Sequence, residues 1–522
     1  MTAQFKKRDP LYLVPVALFL VLICRFWHPV YGFTSFLMID EDTPLTRIPE
    51  VHEVPVYIYP HGSYDGQYYA QLAYHPLLNS PELAPAMDSY AYRARRILPS
   101  IVAWLLAGGR PFLIFGAYSI VNILAWLALS VVLWDLLEVR DFRTWIAWFG
   151  VLFSAGAMFS VRRALTDLVA LSFIAGALLL ATRRRRVASA FSLSAAALCR
   201  ETALFAAVDF FRPASQAGET KGRTSSFLGA MRLCMVAVAP LFVWALYVRY
   251  RVGPAQHQWG NFTWPFFGLV GQWAASLRQI MDTNDMILSV TSILALLGLT
   301  VQAVYFAVTI ERENRWWRLG AAYVALMAFL SSQVWEGLPG AACRVLLPMT
   351  LAFNLLVTQR RATLAWLLMG NLSVFSGFLF VRDVEHDDSE LVTQNSNSDA
   401  GIITQGPGWY GWEKSSSHLW LWSPQSAELG IAYWPQSSPS VGLQFITRTI
   451  KPAVVTLTSG EKVLWSHLVG KDPMLVSVAV PLSHGRATVA FASAGKPSSI
   501  PGDGRLLNFE VYDPKIVLRG TP

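Results

Sequence analysis

A single carboxylate stands among aromatic residues in the stretch "YDGQYYAQLAYHP", which lies between two apolar parts of the chain. Asp65 is followed by Gly66, which lets another backbone or a ligand approach closely. Ionisable side chains beside a bilayer are costly, so they point to function. We predict that Asp65 is a general base that accepts a proton from an attacking hydroxyl. The alternative is that Asp65 only caps a turn through backbone N–H groups.

Arginines form a second unusual set. Lys and Arg are normally enriched in cytoplasmic loops, but several arginines of this chain lie on the outer side of the predicted membrane domain. A guanidinium group can grip phosphate through two parallel hydrogen bonds. The predicted phosphate-binding residues are Arg93, Arg96, Arg344 and Arg200. Alternatively, Arg93 and Arg96 extend to lipid phosphates, and Arg200 with its neighbour Glu201 is structural.

Other polar and aromatic residues accompany these two sets. Three tyrosines near Asp65 have rings that are suited to stack on a sugar ring or an isoprenoid. They are Tyr64, Tyr68 and Tyr69. Asp167 lies four residues beyond Arg163, so the two can pair on one helical face. The further site candidates are Gln67, Glu201, Asp167 and Arg163.

The composition indicates a membrane protein. The 522 residues are 54% hydrophobic and 15% charged, with a mean hydropathy of +0.39. Average soluble domains are about 25% charged, so this chain has too little polar surface for that class. Its net charge of +8 comes from basic residues at the ends of apolar runs. This pattern indicates membrane orientation rather than binding of nucleic acid.

A helix of about 20 apolar residues spans a bilayer. The apolar runs near this length predict an α-helical polytopic fold with about 9–11 membrane helices, of which about nine are full spans. The predicted full spans are 11–28, 111–137, 145–161, 164–182, 233–248, 286–310, 319–334, 345–358 and 363–381. The run 97–108 is too short to span. Arg200 and Glu201 interrupt the run 187–211, which predicts two half-helices or one straight span.

The C-terminal part has a different composition. Residues 382–403 form a predicted polar linker, and short alternating runs such as "SVGLQFITRTI" follow it. Such period-two runs, separated by turn clusters, predict an antiparallel all-β sandwich over 404–522. Residues 1–381 form the predicted membrane domain, with 29–96 as its first external loop. The distribution of Lys and Arg predicts a cytoplasmic N-terminus and an extracytoplasmic β domain.

Several stretches resemble a known family: "YDGQYYAQLAYHP", "AYRARRILPSIVAWLLA", "ALTDLVAL", "LCRETALF" and "ACRVLLP". Together they look like polytopic bacterial glycosyltransferases of the GT-C superfamily, which use polyprenyl-phosphate sugars. The resemblance implies a base in the first external loop, for which Asp65 is the match, with Asp40 and Asp42 as alternatives. It also implies an integral protein of the bacterial inner membrane that modifies a glycan, lipid or protein acceptor.

No nucleotide-binding motif is evident, as expected for a lipid-linked donor, so no cofactor is required. Asp40 or Asp42 would be the ligand of a divalent metal if one takes part. Two other functions stay open: a transporter or flippase of lipid-linked saccharide, and a non-catalytic envelope protein whose β domain binds glycan. A transporter of this kind often contains matched broken helices, and the sequence has only one interrupted segment.

Overall fold

The chain forms two compact units in the computed structural model. The described residues are 10–40, 47–59, 62–211, 223–254, 259–282, 286–337, 341–384, 390–394, 400–415, 418–500 and 503–517. The first unit comprises Met1–Trp27, Phe33–Arg47 and Ile58–Val384. The second comprises His28–Gly32, Ile48–Tyr57 and Glu385–Pro522.

The first unit is helical. Its α-helices are α1 (Pro10–Cys24), α3 (Gly66–Leu72), α4 (Tyr90–Ala94), α5 (Leu98–Leu106), α6 (Pro111–Leu136), α7 (Phe142–Leu152), α8 (Ala155–Arg162), α9 (Thr166–Thr182), α10 (Arg186–Cys199), α11 (Arg223–Val252), α12 (Phe267–Asp282), α13 (Met286–Val308), α14 (Arg315–Phe329), α15 (Ser332–Trp335), α16 (Ala342–Val345), α17 (Leu347–Gln359), α18 (Leu364–Gly370) and α19 (Val374–Leu379), while α2 (Glu50–Glu53) belongs to the second unit. A parallel pair, β1 (Ile39–Asp40) and β2 (Ile58–Tyr59), precedes Asp65.

Fewer helices than expected are long enough to cross a membrane. Among the described residues, three qualify by length and apolar composition: Pro111–Leu136, Phe227–Val252 and Met286–Val308. A fourth span results if the bent pair Phe142–Leu152 and Ala155–Arg162 counts as one. The expectation of about nine full spans is therefore not met by continuous helices.

Breaks within the apolar runs explain part of the difference. In the runs 11–28, 164–182 and 345–358, the helices α1, α9 and α17 have only 15, 17 and 13 residues. The run 319–334 is divided at Leu330, which has an extended backbone between α14 and α15. The run 363–381 is divided at Asn371, between α18 and α19. In the run 187–211, α10 ends at Cys199, Arg200 is extended, and a 3-10 helix covers Glu201–Phe210. The chain therefore breaks at the charged pair, where the sequence predicted an interruption.

The second unit is an all-β fold. Its strands are β3 (Glu390–Gln394), β4 (Ala400–Gln405), β5 (Trp412–Lys414), β6 (Leu419–Ser423), β7 (Ser426–Trp434), β8 (Ser440–Thr449), β9 (Ala453–Ser459), β10 (Lys462–Val469), β11 (Met474–Pro481), β12 (Arg486–Ser493), β13 (Ser498–Ile500), β14 (Asp503–Leu507) and β15 (Phe509–Val517). Six strands form one antiparallel sheet in the order β10-β9-β12-β7-β4-β3. Five form another, β11-β8-β15-β6-β5, and the two sheets share one hydrophobic core. Burial alternates at every residue of β8, as the period-two pattern predicts.

Two parts of the second unit lie outside the predicted range 404–522. Strand β3 lies within 382–403 and β4 begins there, although the polar composition of this range predicted a linker. The segments 28–32 and 48–57 of the first loop also belong to this unit. Tyr31 packs edge-on against Trp434, with ring centroids 5.4 Å apart, and the Gln436 N–H donates to the His52 carbonyl at 3.0 Å.

Candidate functional site

Asp65 lies immediately before α3, and only glycine fits at the next position, residue 66, without strain. A Cβ on Gly66 would stand 2.4 Å from the carbonyl oxygen of Arg163 and 3.0 Å from that of Leu37. Both neighbours are backbone atoms, which cannot rotate away. The close approach fixes the start of α3 against two other segments and thereby fixes the position of Asp65.

We expect Gly66→Ala to lower the stability of the protein by about 1–3 kcal/mol, since overpacking forces the backbone to shift. Gly116→Ala in α6 is the matched control, because an added Cβ there meets nothing within 4 Å. Thermal unfolding of both variants in detergent measures the difference. Equal melting temperatures for the two variants would contradict the packing argument.

The carboxylate of Asp65 bridges two arginines from distant parts of the chain. Its Oδ1 accepts a hydrogen bond from Arg93 Nη2 at 2.9 Å, and its Oδ2 accepts one from Arg344 Nη2 at 3.3 Å. The side chain makes no capping bond to the backbone of α3. The alternative that Asp65 is only a turn cap therefore fails, and both carboxylate oxygens are directed to cations.

Further ion pairs extend this network. Arg344 Nη1 donates to Asp167 Oδ2 at 3.1 Å, and the other oxygen of Asp167 accepts from Arg200. Arg96 Nε donates to Glu201 Oε2 at 3.0 Å. Asp167 thus pairs with Arg200 and Arg344, whereas the helical spacing predicted Arg163 as its partner. The break after α10 turns Arg200 towards α9, and sequence spacing within a helix cannot reveal such a contact.

Tyrosines surround the arginines of the network. The Tyr69 hydroxyl accepts hydrogen bonds from Arg93 Nη1 at 3.4 Å and Arg96 Nη1 at 3.3 Å. The guanidinium group of Arg93 lies 5.0 Å from the ring centroid of Tyr68, and that of Arg344 lies 5.6 Å from that of Tyr64. Tyr69 is only 1% exposed. These rings orient arginines, and Tyr69 has no accessible face on which a sugar could stack.

One cavity of about 660 Å³ opens onto this network. Its charged wall contains five arginines and two carboxylates: Arg93, Arg95, Arg96, Arg200, Arg344, Asp65 and Glu201. Its other walls are neutral and largely apolar, and are lined by Tyr92, Thr202, Asn261, Phe262, Leu326, Leu330, Gln333, Val334, Ala341 and Val345. The cavity therefore suits a ligand with an anionic end and an apolar end.

Two donors in the charged wall are unsatisfied. The Nε–H groups of Arg200 and Arg344 are buried and have no hydrogen-bond partner among the described residues. A buried donor without a partner costs about 1–3 kcal/mol, and more when it is charged. Both arginines also line the cavity, so their positive charge would attract an anion that binds there. This arrangement favours binding of a phosphate or a similar oxyanion.

The charge of Asp65 is strongly stabilised. Burial by itself would raise the pKa of Asp65, but the guanidinium groups of Arg93 and Arg344 outweigh burial and hold the pKa of this carboxyl well below its usual range. Asp65 is therefore ionised at neutral pH. In contrast, burial raises the pKa of Tyr68 to about 12, so its hydroxyl stays protonated.

This shift predicts a dependence of stability on pH. A carboxyl whose pKa is lower in the folded than in the unfolded state stabilises the fold above its unfolded pKa of about 4, and this contribution is lost as the pH falls. We expect the melting temperature of the wild type to fall more steeply between about pH 5 and about pH 3 than that of Asp65→Asn. Parallel curves for the two proteins would contradict the pairing of Asp65 with Arg93 and Arg344.

Asp40, Gln67 and Arg163 are not among the residues that line the cavity. Asp40 is buried in β1, and Asp42 lies outside the described residues. Gln67 is buried in α3, and its amide nitrogen has no hydrogen-bond partner among the described residues. Arg163 contacts the sulfur of Met38 and the ring of Phe159. Within the described part of the chain, no three His, Cys, Asp or Glu side chains form a group that could hold a metal ion.

Sequence reasoning missed several residues of the site. Asp88 binds Arg93 through two hydrogen bonds, at 2.9 Å and 2.6 Å, and Tyr92 accepts one from Arg96 at 2.6 Å. Both precede the arginines by four or five residues, a spacing that could have indicated them. The neutral wall, which includes Asn261 and Gln333, carries no comparable signal.

Comparison of the chain with family models, with curated proteins and with solved structures found no match.

Proposed function

We propose that the protein is a membrane glycosyltransferase that transfers a sugar from a polyprenyl-phosphate donor to an acceptor hydroxyl. The observation that supports this proposal most is the meeting of two carboxylates, Asp65 and Glu201, with five arginines in a single cavity. Its volume of about 660 Å³ falls within the range of about 300–1,000 Å³ found for small-molecule sites. By analogy with the GT-C superfamily, the reaction would take place at the extracytoplasmic face of a bacterial inner membrane.

The proposed reaction is a direct displacement at the anomeric carbon. The acceptor oxygen forms a bond to this carbon while the bond from the carbon to the phosphate oxygen breaks, and the electron pair leaves with the phosphate. The acceptor proton passes to Asp65. The configuration at the anomeric carbon is inverted, and the products are the glycosylated acceptor and polyprenyl phosphate.

The arginines have two tasks in this mechanism. Arg93 and Arg344 orient the carboxylate of Asp65 through the hydrogen bonds described above. The guanidinium groups of Arg200 and Arg344, which line the cavity, would stabilise the charge that develops on the phosphate. The apolar side chains of the neutral wall, such as Phe262 and Leu326, would contact the isoprenoid end of the donor.

The low proton affinity of Asp65 is compatible with this role. A free sugar hydroxyl is far too weak an acid to lose its proton to such a carboxylate. However, the hydroxyl becomes strongly acidic as its oxygen bonds to carbon, so a weakly basic carboxylate suffices late in the step. The stabilised leaving group then supplies most of the driving force, and Asp65 accepts the proton near the transition state.

A transfer assay with the full chain in proteoliposomes tests the proposal. Radiolabelled polyprenyl-phosphate sugars are supplied together with a panel of lipid, glycan and peptide acceptors. The expected result is a labelled acceptor and an equal amount of released polyprenyl phosphate, without added nucleotide. Movement of the labelled lipid across the vesicle membrane without a new glycosidic bond would instead identify a flippase and overturn the proposal.

A further inference from the structure

A second, smaller cavity lies in the helical unit beside the candidate site. It has a volume of about 210 Å³ and is lined by Ala91, Arg95, Phe242, Ala245, Leu246, Val248, Arg249, Gly253 and Pro254. Arg95 comes from the segment after α4, and Arg249 lies in the last turn of α11. Among the described residues of this lining, only these two are charged, so the described walls are apolar apart from two positive charges.

The two guanidinium groups differ from the other arginines of this region. Arg93, Arg96, Arg200 and Arg344 each pair with a carboxylate. In contrast, neither Arg95 nor Arg249 forms a side-chain hydrogen bond or an ion pair with another residue in the part of the chain that the structure describes. Two cations that share a cavity repel each other, so an anion bound between them would relieve this repulsion.

The apolar part of the cavity belongs to α11, one of the helices long enough to span a bilayer. Phe242 and Leu246 line the cavity and are also exposed on the outer surface of the helix. The exposed apolar surface continues along the same helix with Val243 and Tyr250, which are 64% and 84% exposed. An acyl chain could follow this surface while its headgroup enters the cavity at the end of the helix.

Two simpler explanations account for only one of the two arginines. A cation in the last turn of a helix interacts favourably with the helix dipole, and a long side chain at the end of a span can extend to the aqueous interface. Both apply to Arg249. Neither explains why Arg95, from another segment, lines the same cavity without an ion pair to a described carboxylate.

We propose that this cavity binds the phosphate group of an anionic phospholipid, with the phosphate between Arg95 and Arg249 and an acyl chain along α11. Basic pockets beside membrane helices commonly hold such headgroups. The volume of about 210 Å³ lies below the range of small-molecule sites and has room for a phosphate with its glycerol. Arg95 also lines the larger cavity, so a bound lipid would lie directly beside the candidate site. This inference does not depend on the proposed transfer reaction.

Lipid retention by the purified full chain tests this proposal without any sugar substrate. Native mass spectrometry counts phosphatidylglycerol and phosphatidylcholine that stay bound after exchange from mixed micelles. The wild type should retain phosphatidylglycerol selectively. Arg249→Gln and Arg95→Gln should each lower this retention about fivefold, the effect of losing one basic residue near an anionic headgroup. Arg249→Lys should keep part of it.

Arg232→Gln is the matched control, because Arg232 is an exposed arginine nearer the other end of α11. It should retain phosphatidylglycerol like the wild type. Equal losses in Arg232→Gln and Arg249→Gln would overturn the proposal, as would retention by an Arg95→Gln/Arg249→Gln double variant. Displacement of the lipid by an equal concentration of inorganic phosphate would show an anion site indifferent to the acyl chain, and would overturn the lipid assignment.

Discussion

Asp65→Asn is expected to lower the rate of sugar transfer by about 10²- to 10⁴-fold, the usual contribution of a positioned general base. Asparagine has nearly the same shape but cannot accept the acceptor proton. It also leaves Arg93 and Arg344 facing a neutral amide, which weakens their hold on this side chain. Initial rates with a radiolabelled polyprenyl-phosphate sugar measure the loss.

Asp88→Asn provides the matched control for this variant. Asp88 also pairs with Arg93, at 2.6 Å, but it does not line the larger cavity and its side chain is 39% exposed. The variant removes one carboxylate from the same arginine without touching the proposed base. We expect transfer within about tenfold of the wild type, because Arg93 keeps its bond to Asp65 and the carboxylate that is lost is partly exposed. Equal losses in the two variants would reduce Asp65 to a structural partner of Arg93.

Arg344→Gln is expected to lower the free energy of unfolding by about 3 kcal/mol, because it breaks a buried network and leaves Asp65 and Asp167 with one arginine each. Arg344 is the residue that joins Asp65 to Asp167, and its side chain is 10% exposed. After the substitution, Asp167 keeps only Arg200 as an ionic partner among the described residues. Thermal unfolding in detergent at neutral pH measures the effect.

The control here is Arg360→Gln. Arg360 pairs with Glu311 at 2.9 Å, but its side chain is 42% exposed, and an exposed pair of this kind contributes about 0–1 kcal/mol. Arg344→Lys should recover only part of the lost stability, since a single ammonium group cannot match the forked contact with two carboxylates. If both glutamine variants unfold at the same temperature, the network does not stabilise the helical unit.

The charged part of the site was predictable from the sequence because charge near a bilayer is costly and stands out. Asp65, the arginines at 93, 96 and 344, and the interrupted run at Arg200 were each singled out for that reason, and the structure brings all five to one cavity. Their use as a transferase site remains a proposal. The neutral wall was not predictable, because residues such as Asn261 and Phe262 are unremarkable in an apolar chain.

The helical architecture was predictable only in outline. Hydropathy identifies apolar runs, but it does not reveal that Leu330 or Asn371 ends a helix within a run. In the β unit, alternation correctly predicted strands such as β8. Alternation does not identify β3 and the start of β4, which lie in a stretch of mostly polar sequence. Backbone pairing of β3 with β4, and of β4 with β7, holds them in the sheet.

The path of the chain between its two units constrains how the protein can be dissected. The polypeptide passes from one unit to the other five times, because residues 28–32 and 48–57 fold with the C-terminal strands. No single cut separates the halves. Deleting everything after Val384 would remove the contacts of Tyr31 with Trp434 and of His52 with Gln436, in the same loop that carries Asp65. Inactivity of such a truncated protein would therefore say nothing about whether the β unit itself takes part in the reaction.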